Sequence, residues 1–179
     1  NYMRHSGTAP TTTAPTTPKA LTVRGITAED KVYDGTRVAT VVTSSMVLDG
    51  LLAGDVVTIG ATGQFSDKNV GANKFVGLTT TEGGADAGNY LIARQAGTTA
   101  AITPKSLNVS GVRADDKVYD GTTAATVNVQ AATIAGVVAG DSVSISGAFG
   151  DKNAGANKTV GLSSTGADGG NYILGNQTS

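Results

Sequence analysis

Apolar and polar residues alternate over short stretches of this chain, and alternation with a period of two predicts β-strands. In the first half of the chain, strands are predicted over Ala20–Ile26, Arg37–Thr43, Asp55–Ile59, Lys74–Thr80, Asn89–Ala93 and Thr98–Thr103. In the second half they are predicted over Ser106–Val112, Ala124–Val129, Asp141–Ser146, Lys158–Ser163 and Asn171–Leu174. Two apolar, Gly-bounded stretches, Met46–Gly54 and Ile134–Gly140, are long enough only for one short helical turn.

The two halves of the chain repeat one another. The segment Asp30–Thr36 returns 86 positions later as Asp116–Thr122, and Asp67-Lys68-Asn69 returns 84 positions later. Gly88-Asn89-Tyr90 returns 82 positions later, so the second copy carries two short deletions, both in turn-like stretches. Repetition of this kind indicates tandem domains. We predict a leader and Thr/Pro-rich linker over residues 1–18, a first repeat over 19–104 and a second over 105–179.

The second repeat has no counterpart of the predicted strand Thr98–Thr103. We therefore expect it to present an exposed strand edge, and exposed edges pair readily with other chains. Edge-strand pairing with another copy follows as an expectation. The Thr-rich N-terminal segment of a neighbouring molecule is a conceivable donor of that strand.

The composition of the chain argues against several classes of function. A net charge of −1 with 15% charged residues argues against binding to nucleic acid or to an anionic membrane. No apolar run approaches the ~20 residues that a membrane-spanning helix needs, so no membrane insertion is expected. Cysteine is absent, which excludes disulfides and thiol chemistry. The single histidine, His5, lies in the leader, and no P-loop is present. We expect no enzyme, no cofactor and no metal site.

The repeated Lys-Val-Tyr-Asp-Gly-Thr motif carries the first candidate site. Asp-Gly is a strong turn signal, and the tyrosine before it can bury its ring while its hydroxyl finds a polar partner. The functional alternative is a carbohydrate site formed by Tyr33 and Asp34, and by Tyr119 and Asp120 in the second repeat. Because turn chemistry explains nearly every residue of the motif, the structural interpretation is favoured.

Two further interpretations concern covalent and metal chemistry. A Lys–Asn isopeptide bond catalysed by a buried acid would require Lys31, Asn89 and Asp34, mirrored by Lys117, Asn171 and Asp120. The loops 67–74 and 151–158 are rich in Asp, Asn and Gly, but their spacing does not match a calcium loop. A polar hairpin loop is the favoured interpretation of both.

These motifs, with Ala-Gly-Asp at 139–141, Gly-Asp-Lys-Asn-Ala-Gly at 150–155 and Gly-Asn-Tyr at 170–172, resemble YDG-type repeats. That family is similar to MBG modules and occurs in tandem in large exported bacterial proteins of the adhesin and filamentous-haemagglutinin kind. The resemblance implies a mostly β chain of two small β-grasp-like or β-sandwich-like domains, arranged end to end. It also implies an extracellular location on the bacterial cell surface.

Two functions from different classes fit this chain. The first is a stalk or spacer of a surface adhesin, whose partners are the neighbouring repeats of the same polypeptide. The second is an adhesive module that binds host or biofilm carbohydrate or mucin, or that self-associates in a biofilm. A sugar site needs an exposed aromatic plane, yet the few shared aromatic side chains are also the only large groups available to the cores. The spacer function is therefore expected.

Overall fold

A computed structural model describes residues 12–175, and over this range the chain consists of short β-strands joined by tight turns. Repeat one contains β1 Lys19–Arg24, β2 Thr27–Ala28, β3 Lys31–Val32, β4 Val38–Ala39, β5 Val41–Val42, β6 Val47–Asp49, β7 Thr58–Phe65, β8 Gly71–Gly83, β9 Tyr90–Ala93 and β10 Gly97–Thr103. Repeat two contains β11 Lys105–Ser110, β12 Arg113–Ala114, β13 Ala124–Ala125, β14 Val127–Asn128, β15 Thr133–Ala135, β16 Ser144–Phe149, β17 Val160–Thr165 and β18 Tyr172–Leu174. The only helical pieces in the described range are the single 3-10 turns Ala87–Asn89 and Gly169–Asn171. The prediction of a mostly β chain is confirmed.

Each repeat is organised around two principal sheets, and the order of their strands recurs. In repeat one the first sheet has the order β6-β1-β9 and the second the order β3-β10-β8-β7-β4. Leu21 and Val23 from the first sheet and Ile59 from the second are buried in one cluster, so the sheets pack on each other. In repeat two the corresponding orders are β15-β11-β18 and β13-β16-β17.

Several predicted elements differ from the structure, three of them for identifiable reasons. The strand predicted over Asp55–Ile59 begins only at Thr58, because Asp55 and Val56 lie in a turn whose backbone is held by Leu52 and Asp86. The helical turn considered within Met46–Gly54 does not form. Strand β6 lies there instead, because its backbone pairs antiparallel with β1. In repeat two, Ile134–Gly140 likewise begins within the strand β15, which pairs with β11.

The two repeats are joined through a strand boundary rather than a flexible linker. Only Pro104 separates β10, which lies inside the second sheet of repeat one, from β11, which lies at the centre of the first sheet of repeat two. Ile102 of β10 and Leu107 of β11 belong to the same buried cluster. The last strand of one repeat therefore continues into the first strand of the next, and the repeats share a core.

The second sheet of repeat two is smaller than its counterpart. Strand β17 pairs with β16 along one edge, and within residues 12–175 no strand pairs along its other edge. Residues 117–118 and 155–159, which correspond to β3 and to the first part of β8, are not strands in this structure. Both segments are the neighbours that β10 has in repeat one. The unpaired edge of β17 is the position that β10 occupies beside β8 in repeat one.

Candidate functional site at the junction between the repeats

The Tyr-Asp-Gly turn is built from its own residues. The Asp34 carboxylate accepts hydrogen bonds from the backbone N–H (2.8 Å) and the hydroxyl (2.9 Å) of Thr36. Gly35 has a φ of +77°, a left-handed conformation that glycine adopts without steric cost. Lys31 Nζ donates to Asp34 (2.7 Å) and to the Val38 carbonyl (3.0 Å), which ties the turn to the following strand.

The turn of repeat two is the same structure. Thr122 donates to Asp120 at 2.8 and 2.9 Å, and Gly121 has a φ of +78°. Lys117 Nζ lies 2.8 Å from Asp120 and donates to the Ala124 carbonyl at 3.0 Å. The ion pair with Lys117 lowers the pKa of Asp120 to about 2, helped by the hydrogen bonds from Thr122. The motif therefore folds in the same way in both repeats.

The tyrosines of the two turns have very different surroundings. Tyr33 is 1% exposed, whereas Tyr119 is 59% exposed. Repeat two covers Tyr33, whose ring makes an edge-to-face contact with Tyr172 at a centroid distance of 5.4 Å. Since the turns themselves match, burial of this tyrosine depends on having another repeat beside it.

A buried carboxylate in repeat two accepts a hydrogen bond from the hydroxyl of Tyr33. The Asp141 side chain is 4% exposed and accepts hydrogen bonds from the hydroxyls of Tyr33 (2.8 Å) and Tyr172 (2.6 Å). Lys68, from the loop between β7 and β8 of repeat one, donates to Asp141 at 3.0 Å and to Asp168 at 3.1 Å. A charge is stable at such depth only when it is paired and hydrogen-bonded, as this one is.

These contacts set the protonation states at the junction. Burial raises the pKa of the Asp141 carboxyl, but the hydrogen bonds from Tyr172, Lys68 and Tyr33 outweigh it and hold the pKa below its usual range. Burial, followed by the hydrogen bond to Asp141, raises the pKa of Tyr172 to about 12 and raises that of Tyr33 as well. The hydrogen bond to Asp141 is also the main reason why the pKa of Lys68 is raised. At neutral pH the site is a charged carboxylate, a charged lysine and two neutral phenols.

A second contact lies beside the first. The backbone N–H of Val70 donates to the Asn171 side-chain carbonyl at 2.9 Å, and the Asn171 amide donates to Asn69 at 3.2 Å. In the middle of the junction, the Gly35 backbone lies against Val138. A Cβ at position 35 would be 2.8 Å from Val138 Cγ1. The face of repeat one formed by Tyr33, Gly35, Lys68, Asn69 and Val70 is called the plug below. The face of repeat two formed by Val138, Asp141, Asp168, Asn171 and Tyr172 is called the socket.

The structure separates the residues that the sequence brought together as candidate sites. Tyr33 is too buried to stack on a sugar, whereas Tyr119 is accessible. Asp34 and Asp120 are used by their own turns and by the lysines three positions before them.

The isopeptide trio is not assembled either. The Nζ atoms of Lys31 and Lys117 are held by their turns, and neither asparagine is among their hydrogen-bond partners. Asn89 is exposed in the 3-10 turn before β9, while Asn171 is buried against repeat one. Both lysines are instead neutralised by the aspartate three residues ahead.

Sequence reasoning did not identify Lys68, Asp141, Asp168 and Tyr172 as residues of a junction between the repeats. The signal available was their recurrence, since Asp-Lys-Asn, Gly-Asp and Gly-Asn-Tyr occur in both repeats. The favoured interpretation of a polar hairpin loop over 67–74 is correct for 67–70, which lies between β7 and β8, whereas 71–74 belongs to β8. What was missed is that this loop contacts the other repeat.

Within residues 12–175 there is no group of three or more His, Asp or Glu side chains arranged to hold a metal ion. In the same part of the chain, no helix is long and apolar enough to cross a membrane. A groove of about 600 Å³ lies on repeat two, and polar and charged side chains including Asp116, Lys117, Tyr119, Asp151 and Lys158 line it.

The family model of the YDG domain matches this chain twice, over residues 17–100 and 103–179. No curated protein and no solved structure shows significant similarity to the chain. The matched segments take in the Tyr-Asp-Gly turns, the Asp-Lys-Asn loops and the Gly-Asn-Tyr segments of both repeats. The chain therefore belongs to the YDG domain family, of which it contains two tandem copies.

Proposed function

We propose that this pair of YDG domains is a non-catalytic spacer module in the stalk of a large adhesin on the bacterial cell surface. The observation that carries the proposal is the use of the repeated motif as a structural joint. Tyr33, the central residue of the motif, is buried under the following repeat and donates its hydroxyl to Asp141.

The junction has the properties that a spacer needs. A one-residue connection between β10 and β11 leaves little slack, and a shared apolar core resists bending. The charged and hydrogen-bonded contacts of the plug and socket fix the relative rotation of the two repeats, because each requires a defined geometry. The resemblance of the motifs to those of exported adhesins supports placing the module outside the cell.

A second candidate is an adhesive role in which the module binds carbohydrate or mucin. The exposed ring of Tyr119, beside a groove lined by aspartate and lysine side chains, is the observation that favours it. Only repeat two offers such a ring in the motif, since the equivalent ring of repeat one is buried. A role that each repeat performs independently is therefore less well supported than a joint.

Residual dipolar couplings of the full chain test the spacer role. A rigid joint predicts that the amides of both repeats fit one alignment tensor. Tyr33→Ala should uncouple the tensors, whereas the matched control Tyr119→Ala should leave them unchanged. Two independent tensors in the wild-type chain would contradict the proposal.

The same two variants, checked for folding, distinguish the adhesive role on a glycan and mucin array. Saturable binding that Tyr119→Ala abolishes would favour that role. If the wild-type chain binds no glycan or mucin on the array, the spacer role remains the supported one.

A further inference from the structure

Each repeat carries both a plug and a socket, and the junction uses one of each. The plug of repeat two corresponds to Tyr119, Gly121, Lys152, Asn153 and Ala154, and the socket of repeat one corresponds to Leu52, Asp55, Asp86, Asn89 and Tyr90. Every side chain that makes a polar contact at the junction is identical in these counterparts. Val70 becomes Ala154, but it contributes only its backbone N–H.

The plug of repeat two is folded but uncovered. Its turn has the same hydrogen bonds as that of repeat one, yet Tyr119 is 59% exposed where Tyr33 is 1% exposed. A Cβ on Gly121 would meet no atom of the chain within 4 Å, whereas one on Gly35 would meet Val138 at 2.8 Å. Lys152 is exposed, in contrast to Lys68, which is held between two aspartates.

The socket of repeat one is also preformed. The Tyr90 hydroxyl donates to Asp55 at 2.5 Å and accepts from the Leu52 N–H at 3.1 Å, as Tyr172 does with Asp141 and Val138. Asp86 accepts from the Val56 N–H at 2.8 Å, as Asp168 does from Ser142 at 3.0 Å. Leu52, the counterpart of Val138, is 53% exposed. No lysine of the described residues reaches Asp55 or Asp86 in a salt bridge.

Each repeat has, beside its plug, a place in its second sheet for one further strand. In repeat one, β10 lies between β3 and β8, and its Ile102 is 1% exposed. In repeat two, the corresponding position is the groove of about 600 Å³, between residues 114–117 on one side and 153–160 on the other. The segment of the chain that matches β10 is found ahead of β1. Residues 12–19 are Thr-Thr-Ala-Pro-Thr-Thr-Pro-Lys, and residues 98–105 are Thr-Thr-Ala-Ala-Ile-Thr-Pro-Lys.

The N-terminal segment is available for this role. Residues 12–18 are exposed and form no strand, and they lead into β1 as residues 98–104 lead into β11. Pro15 takes the place of Ala101, which lies at the irregularity in the pairing of β10 with β8. The Ala101 N–H bonds to the Asp30 side chain at 2.6 Å rather than to β8. A proline is tolerated at such a bulge and would cost one hydrogen bond to Asp116, the counterpart of Asp30.

We propose that a second copy of this chain docks head to tail on repeat two. Residues 12–17 of the second copy enter the groove as the closing strand beside β17. The socket of its repeat one covers Tyr119 and places Lys152 between Asp55 and Asp86 of the second copy. The interface repeats the polar contacts of the junction within the chain.

This inference deepens the proposed spacer function and rests on it, because both require the junction to be stable. It also predicts the strength of assembly. Thr16 occupies the place of buried Ile102, so the docked strand loses apolar burial relative to β10. Assembly between separate chains should therefore be weak and concentration-dependent.

Sedimentation velocity on the full chain up to millimolar concentration measures the assembly. Two exposed positions give matched variants. Lys152→Glu disables the plug by placing an anion between Asp55 and Asp86, and Leu52→Lys disables the socket by placing a long charged side chain against Gly121, as Val138 lies against Gly35. Each variant alone should remain monomeric. Mixed together they should form a dimer and nothing longer, because the intact socket of one meets the intact plug of the other.

The double variant Pro15→Ala/Thr16→Ile gives the segment the sequence of β10 and should tighten assembly about tenfold or more. The proposal is overturned if this variant stays monomeric at millimolar concentration, or if Lys152→Glu and Leu52→Lys assemble as the wild type does. In the same samples, the nuclear Overhauser effect between the rings of Tyr33 and Tyr172 reports on the junction within the chain. If that effect is present without assembly, only the head-to-tail inference fails. If it is absent, the spacer function fails with it.

Discussion

Replacing the tyrosine of the Tyr-Asp-Gly turn by phenylalanine should destabilise the chain in one repeat and not in the other. Tyr33→Phe removes a hydroxyl that donates to the buried carboxylate of Asp141 at 2.8 Å and keeps the ring. Tyr119→Phe makes the same chemical change in a turn with the same hydrogen bonds, on a ring that is 59% exposed. The pair therefore isolates the contribution of the junction.

The magnitude follows from the contacts of Asp141. A hydrogen bond to a charged group contributes about 1.5–3 kcal/mol. Because Tyr172 and Lys68 still donate to Asp141 in the variant, no charge is left without a partner, and the lower end of that range applies. We expect Tyr33→Phe to lower the free energy of unfolding by about 1.5–2 kcal/mol. Tyr119→Phe should change it by no more than about 0.5 kcal/mol.

Urea denaturation followed by far-ultraviolet circular dichroism measures the difference, since the chain has no tryptophan. With a slope of about 1–3 kcal/mol/M, the expected loss moves the midpoint for Tyr33→Phe by roughly 0.5–2 M. Extending the series, Tyr33→Ala should cost about 3–5 kcal/mol because it also leaves a cavity. Equal shifts for the two phenylalanine variants would refute the view that the tyrosine is a joint between repeats.

Four further outcomes are expected. Because the pKa of Asp141 is lowered in the folded state, the stability that this carboxylate adds to the folded chain is complete above about pH 4 and is lost as pH falls through the folded-state pKa. Asp141→Asn should therefore reduce the acid dependence of the urea midpoint. At alkaline pH, where Tyr172 keeps its proton until about pH 12, the midpoint should fall from about pH 10 upward. Gly35→Ala and Gly121→Ala both force a side chain into a positive φ, but only the Gly35 variant collides with the neighbouring repeat. Its free energy of unfolding should therefore be lower than that of the Gly121 variant by about 1 kcal/mol or more. An intact mass equal to the full sequence mass is expected, and a deficit of one ammonia would show that an isopeptide bond forms despite the placement of the lysines.

The sequence was a good guide to the elements whose cause is local. Alternation predicted β1 and β9 closely, and the Asp-Gly pairs predicted turns in which glycine does have a positive φ. Local patterns failed where distant residues decide. Strand β6 forms because β1 lies beside it, and β7 begins late because Asp86 holds the preceding turn.

The site was harder to predict because its partners are far apart in sequence. Tyr33 and Asp141 are separated by 108 positions, and Val70 and Asn171 by 101. The expectation that the motif tyrosine buries its ring and donates its hydroxyl was right for Tyr33. Its partner lies in the other repeat, however, and the same expectation fails for Tyr119, whose ring is exposed. Hydrogen bonds among residues no more than seven positions apart determine the turn, whereas burial of its tyrosine depends on the repeat that lies beside it.

The recurrence of the junction residues is better explained by assembly than by a ligand. A ligand site in each repeat would need its aromatic ring exposed in each repeat, and the ring of Tyr33 is not. A joint needs complementary groups at opposite ends of every repeat, and the chain has them: tyrosine and lysine at one end, two aspartates and an asparagine at the other. Because the two faces differ, contacts between them run head to tail and do not close a symmetric dimer. A repeat built in this way extends in one direction, as a spacer requires.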